Sequence, residues 1–184
     1  MKQQAGDLLV GARQCPSPNH DERPPDSPVD LLVIHNISLP PEQFGGPWID
    51  DFFLNRLEPN HHPYFCTICE QRVSSHLLIR RDGELVQYVP LNLRAWHAGK
   101  SEFQGRQDCN DYSIGIELEG TDNIPYTDAQ YQTLVETTRK IMTLFPSITA
   151  ERIAGHCDIA PDRKTDPGPI FDWQGYMKAL AHQG

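Results

Sequence analysis

The sequence predicts a mixed α/β fold, a single domain with a central mixed β-sheet flanked by α-helices. Three observations predict it. The unbroken apolar run Leu31-Leu32-Val33-Ile34 reads as a strand buried on both faces. Two β-rich stretches flank Arg81-Asp82-Gly83, a hairpin signal that excludes a purely parallel sheet. Residues 127–145 repeat apolar side chains at helical spacing. A chain of 184 residues is long enough for one domain with one sizeable core.

The elements follow in order. Residues 1–29, rich in Pro, Asp and Ser, predict an extended arm over the surface of a domain formed by residues 30–184. The first strand delivers His35 and Asn36 at its carboxyl end, a favoured place for ligand-binding groups in α/β sheets. Residues 39–69 are broken by Pro40-Pro41, Gly45-Gly46-Pro47 and Asn60-His61-His62-Pro63, with a short helix expected over 48–57. A segment this irregular is expected to form a movable wall of a site. Residues 74–79 and 84–89 are the hairpin strands. Residues 113–119 alternate apolar and polar, so a period of two sets Ile114, Ile116 and Leu118 on one face and Gly115, Glu117 and Glu119 on the other. In the long helix, Thr127 and Gln130 have capping-box spacing and Pro146 ends the run. Residues 152–156 read as a short strand or its approach, and Asp172 as the cap of a last helix reaching about Ala181.

Composition narrows the function. A formal net charge of −9 with no basic stripe leaves no electrostatic reason to bind nucleic acid. No segment approaches the roughly 20 apolar residues of a membrane span. The run Leu8-Leu9-Val10 is too short for a signal-peptide core, so the cytoplasm is the expected compartment. No obligate protein partner is evident. Five cysteines, an odd number, argue against a disulfide framework. Cys66 and Cys69 form a Cys-x-x-Cys that reads as a redox pair, as half a zinc knuckle near His61 and His62, or as two ordinary thiols.

The groups that could carry chemistry are His35, at a strand end, and His156, in Gly155-His156-Cys157-Asp158. After them comes the proline-bounded loop 161–169, either a rigid solvated turn or a scaffold that holds Lys164 and Asp166 in a site. Two imidazoles and a carboxylate suit zinc with one open position. No spacing rule joins residue 35 to the loop. Glu117 reads as a solvated strand carboxylate or as a catalytic one, and Lys164 as a surface cation or an oxyanion donor.

Several ordered motifs add a resemblance. They are Pro-Ser-Pro-Asn at 16–19, Leu-Val-Ile-His-Asn-Ile-Ser-Leu-Pro-Pro at 32–41, His-Pro-Tyr-Phe at 62–65 and Arg-Ala-Trp-His-Ala-Gly at 94–99. Cys-Asn-Asp-Tyr-Ser-Ile-Gly-Ile-Glu-Leu-Glu-Gly-Thr-Asp at 109–122 and Gly-His-Cys-Asp-Ile-Ala-Pro-Asp-Arg-Lys-Thr-Asp-Pro-Gly-Pro at 155–169 complete the set. Together, over about residues 15–173, they resemble the zinc N-acetylmuramoyl-L-alanine amidase family, related to peptidoglycan recognition proteins and phage T7 lysozyme.

The resemblance implies that fold, and a cytoplasmic peptidoglycan-recycling hydrolase. Its substrate would be an anhydro-muropeptide, cut between the lactyl group of anhydro-N-acetylmuramic acid and L-alanine. Carried over by motif, His35, His156 and Asp166 hold one catalytic zinc ion (Zn2+), Glu117 is the catalytic glutamate and Lys164 its lysine partner. Some relatives use a cysteine as third ligand; here Asp166 fills that place. By residue chemistry, Asn36, Tyr64, Arg72, Trp96 and His97 are the expected substrate contacts, with Trp96 reading either as a ring that stacks on a sugar or as simple core. The rival reading is a muropeptide-binding module that does not cut, which such folds become when a ligand is replaced.

Overall fold

The structure, a computed structural model, describes residues 8–182. Its central sheet has six strands: β1 (Arg13–Gln14), β3 (Leu31–Ile37), β4 (Leu77–Ile79), β5 (Leu85–Gln87), β9 (Ser113–Glu119) and β10 (Ile153–Gly155). Their order is β1-β5-β4-β9-β3-β10. Parallel pairing joins β4 to β9, β9 to β3, β3 to β10 and β1 to β5, while β4 and β5 form the expected antiparallel hairpin. The sheet is therefore mixed, as the hairpin signal required.

The hairpin strands are shorter than the β-rich runs that announced them. At their turn, Gly83 sits at φ +88°, and its N–H donates to the Arg80 carbonyl at 2.9 Å. That left-handed backbone favours glycine. Two small ribbons lie apart from the sheet: β2 (His20–Asp21) with β6 (Arg94–Ala95), and β7 (Glu102–Phe103) with β8 (Arg106–Gln107).

The helices are α1 (Trp48–Phe53), α2 (Phe65–Ile68), α3 (Asp128–Leu144), α4 (His156–Ile159) and α5 (Trp173–Ala181). Helix α3 begins as the sequence predicts. The Thr127 side chain accepts from the Gln130 N–H while the Gln130 side chain reaches back to the Thr127 N–H. Two of the orphan donors of the first turn are thereby satisfied. Asp172 caps α5 by accepting from the Gly175 N–H at 2.8 Å.

The sheet has two buried faces, and they differ. Leu32 and Ile34 of β3, with Ile114, Ile116 and Leu118 of β9, pack on Leu134, Val135 and Ile141 of α3. Each such side chain contributes about 1.5–3 kcal/mol on burial. On the other face Leu31 and Val33 meet Cys109, Tyr112 and Ile159. All seven residues of β9 are buried, the polar ones included. The period of two was real, but its polar face does not meet bulk solvent: Glu117 looks into the cleft, and Glu119 accepts from the Gly45 and Arg81 N–H groups.

Of the arm expected over 1–29, residues 1–7 lie outside the described residues. The remainder is tied in closely. Leu9 and Val29 join the core beneath α3 and α5, and β1 adds an edge to the sheet. The Asn19 side chain donates to the carbonyls of Phe53 and Val73 at 3.1 and 2.8 Å.

Candidate metal centre and catalytic cleft

Strand pairing explains how residue 35 meets residue 156. Strand β10 runs parallel to β3 with Gly155 opposite Ile34, so the next residue on each, His156 and His35, emerge side by side. Helix α4 begins at His156, and the loop after it folds back. The Cys157 N–H donates to the Asp166 carbonyl at 2.9 Å, and the Lys164 N–H to the Ala160 carbonyl at 2.9 Å. Asp166 is thus returned to the histidine from which the chain departed.

His35 and His156 approach through their Nδ1 atoms at 2.9 Å. Asp166 Oδ2 lies 3.2 Å from the first and 3.0 Å from the second. Among the described residues these three form a group able to hold a metal ion, with one ligand atom each, all within 4.8 Å.

The proton positions follow from the outer contacts. His156 Nε2 faces the Ala98 carbonyl at 3.1 Å, a pure acceptor, so Nε2 carries the proton and Nδ1 is bare in the neutral ring. The same result holds for His35, whose Nε2 lies 2.9 Å from His97 Nδ1. His97 Nε2 in turn lies 3.1 Å from Ser113 Oγ, and the Ser113 hydroxyl donates to the Cys109 carbonyl at 2.5 Å. With its only proton committed there, Ser113 accepts from His97, His97 accepts from His35, and His35 Nδ1 is left bare. Two bare nitrogens and a carboxylate oxygen around 3 Å apart have no proton to share. Three acceptors in that arrangement repel one another unless a cation lies among them, and two imidazoles plus a carboxylate are a donor set that zinc accepts.

Burial, then the neighbouring His156, pushes His35 down to about 4, despite the opposing pull of Asp166. Burial acts to raise Asp166, but the close approach of His156 and His35 outweighs it and holds its carboxyl far below the usual range. Glu117 stands directly across from His35 in the β3–β9 pairing, on the same face. Burial first, and Asp166 second, push its carboxyl well above the ordinary value, with Lys164 opposing. Its Oε2 is buried without a hydrogen-bond partner.

A cleft of about 460 Å³ opens over this group. His35, His156, Asp166, Glu117 and Lys164 line it, as do Asn36, Tyr64, Trp96 and His97. Residues 39–69 supply a wall through Leu39, Phe52, Phe53, Tyr64 and Ile68. Asn36 Nδ2 is already donating to Asp122 Oδ1 at 2.9 Å, and Trp96 Nε1 to Asp21 Oδ1 at 3.1 Å. Both nitrogens of His97 are engaged inside the protein.

Arg72 is not brought to the cleft. Its guanidinium turns to the carbonyls of Cys69 and Gln71 and to the Glu70 carboxylate. Cys66 and Cys69 are free thiols on and beside α2. They do not enter a metal-capable group among the described residues. Sequence reasoning missed Ser113 and Gly115 as supports of the site. Their parity with Glu117 on β9 was the available signal. A Cβ on Gly115 would stand 2.6 Å from His97 Nδ1, so only glycine lets that ring lie against the strand.

The sequence pattern of the N-acetylmuramoyl-L-alanine amidase family matches residues 25–169, most of the chain and all of the site. The chain belongs to this family. This amidase is 64% identical over 175 residues to the 1,6-anhydro-N-acetylmuramyl-L-alanine amidase AmpD of Escherichia coli (strain K12), covering 95% of each. Its fold is similar to a crystal structure of a Se-Met AmpD derivative, with a TM-score of 0.93, 58% identity and 98% and 99% of the two chains covered. It is also similar to the Escherichia coli amidase AmiD, in a complex with the substrate anhydro-N-acetylmuramic acid-L-Ala-D-gamma-Glu-L-Lys. There the TM-score is 0.61 and the identity 31%, over 86% of this chain and 60% of that one.

Proposed function

We propose that this amidase hydrolyses the amide bond between anhydro-N-acetylmuramic acid and L-alanine in 1,6-anhydro-muropeptides, with one zinc ion held by His35, His156 and Asp166. The observation that carries the metal reading is the convergence of His35 Nδ1, His156 Nδ1 and Asp166 Oδ2 within about 3 Å of one another, while the outer partners of the two rings engage their Nε2 atoms. The substrate assignment rests on the family and on the near-full-length likeness to AmpD.

His35, His156 and Asp166 would hold the zinc, which when bound would supply Lewis acidity, lowering the pKa of a water toward neutrality and polarising the amide carbonyl. Glu117 takes the proton of the attacking water and passes it to the departing amine of L-alanine. Its buried setting and raised proton affinity suit a group that must both accept and return a proton near neutral pH. Lys164 lines the same cleft, and its ammonium donates to the oxyanion that develops on the lactyl carbonyl. Asn36, Tyr64 and Trp96 hold the substrate against the walls of the cleft, with the Trp96 ring offering a face to the sugar. Arg72 joins them only by swinging away from its present carbonyl partners.

Residues 30–184 act as the catalytic domain with residues 1–29 as its arm, and the burial of Leu9 and Val29 supports a single folding unit. No helix among the described residues is long and apolar enough to cross a membrane. The cytoplasm is the compartment in which a recycled anhydro-muropeptide would be met.

The test is incubation with a purified anhydro-muropeptide, with and without a chelator, followed by mass spectrometry of the released stem peptide. Release that stops on chelation and returns with zinc is expected. No release by zinc-loaded protein defeats the proposal, and undiminished release by folded His35→Ala and Asp166→Ala variants defeats the ligand assignment.

A further inference from the structure

Outside the three ligands, the site contains a continuous line of hydrogen bonds that the reaction itself does not use. It runs from the Cys109 carbonyl through Ser113 Oγ and both nitrogens of His97 to His35 Nε2, with steps of 2.5, 3.1 and 2.9 Å. Every link has one direction only. The carbonyl cannot donate, so the Ser113 proton points to it, and each later proton points toward Ser113. The far end is the bare Nδ1 of His35, aimed at His156 and Asp166.

The surroundings are shaped for this ring. Gly115 clears the space that a Cβ would take from His97. The Asn110 side chain accepts from the His97 and Ala98 N–H groups at 3.1 and 2.8 Å, and so fixes the loop bearing the ring. Ala98 also supplies the carbonyl that sets the tautomer of His156. One loop, residues 97–98, therefore orients both imidazoles.

We propose that His97, oriented by Ser113, is a positioning residue for the metal: by accepting the Nε2 proton of His35 it holds the His35 Nδ1 lone pair toward the ion. The inference rests on the zinc reading above and adds an outer partner to it. Outer hydrogen bonds of this kind typically affect metal affinity about 10- to 100-fold.

Zinc affinity, measured by competition with a chromophoric chelator at fixed pH, is the readout, on wild type, His97→Leu, His97→Asn and Ser113→Ala. Leucine fills space and accepts nothing, so His97→Leu is expected to bind zinc about 10- to 100-fold more weakly. Asparagine places Oδ1 where histidine has Nδ1, so His97→Asn recovers most of the loss. Ser113→Ala keeps the fold's packing and gives a smaller loss in the same direction. In the zinc-free protein, long-range 1H–15N spectra are expected to show His35 protonated at Nε2, and a mixed tautomer in His97→Leu.

Wild-type affinity in all three variants overturns the inference. So does an equal loss in His97→Leu and His97→Asn, which indicates packing and not acceptance. A wild-type protein that binds no zinc overturns the metal reading itself, a result distinct from either.

Discussion

His76 offers a quantitative test of how this site region is built. Its side chain is fully buried just before β4. Nδ1 accepts from the Gly115 N–H at 3.0 Å and Nε2 lies 3.0 Å from the Leu93 carbonyl, so the neutral ring is satisfied at both ends. Burial first, and the Arg23 guanidinium second, push it down to about 3, from an ordinary 6.5. The folded pKa lies below the unfolded one, so the stabilising contribution is whole above pH 6.5. It drains as the pH falls toward 3, because the unfolded chain takes up a proton that the folded one refuses.

Each pH unit in that window is worth about 1.4 kcal/mol. At pH 5, one and a half units below 6.5, wild type has lost about 2 kcal/mol through this residue alone. His76→Asn keeps an acceptor for Gly115 but cannot titrate. It should be less stable than wild type at pH 8 by about 1–3 kcal/mol for the lost Leu93 bond. That deficit should shrink by about 2 kcal/mol at pH 5. Urea unfolding at pH 8, 7, 6 and 5, in a chelator so that metal linkage does not intrude, measures both. Parallel stability curves for the two proteins would refute a buried, neutral His76.

Three further outcomes are expected. Glu117→Gln keeps shape and removes the proton carrier, so kcat should fall about 10²- to 10⁴-fold with zinc content unchanged by metal analysis; a fall under threefold rejects Glu117 as the base. Lys164→Met should lower kcat about 10²- to 10³-fold with a much smaller change in KM, read by steady-state assay of stem-peptide release, since an oxyanion donor acts mainly in the transition state. Gly115→Ala forces a methyl against the His97 ring and should cost about 1–3 kcal/mol in urea unfolding; a neutral result would mean that the ring has room to move.

Much of this protein was determined locally, and those parts are legible in the sequence. The strand at 113–119, the capping box of α3, the Asp172 cap of α5 and the Asp82-Gly83 hairpin each depend on neighbours within a few residues. Backbone sterics, side-chain period and capping bonds act at that range. The residue types of a zinc site were visible too, and the motif resemblance tied His35 to the 156–166 loop when no spacing could.

Only the tertiary structure decided the rest. Parallel pairing of β10 with β3 is a contact across about 120 residues, and it alone brings His156 beside His35. The polar face of β9 was readable as a period but not as a buried one, because burial depends on distant segments, His97 lying over Gly115 and the Gly45 and Arg81 N–H groups meeting Glu119. Arg72 looked available for substrate, yet its exposed side chain found nearer carbonyls. The tautomers of His35 and His97 rest on a serine hydroxyl and a carbonyl from other segments, and hydrogen-bond direction is a property of the assembled network. Sequence supplied the ligand types; the fold supplied their meeting point and the direction in which each proton faces.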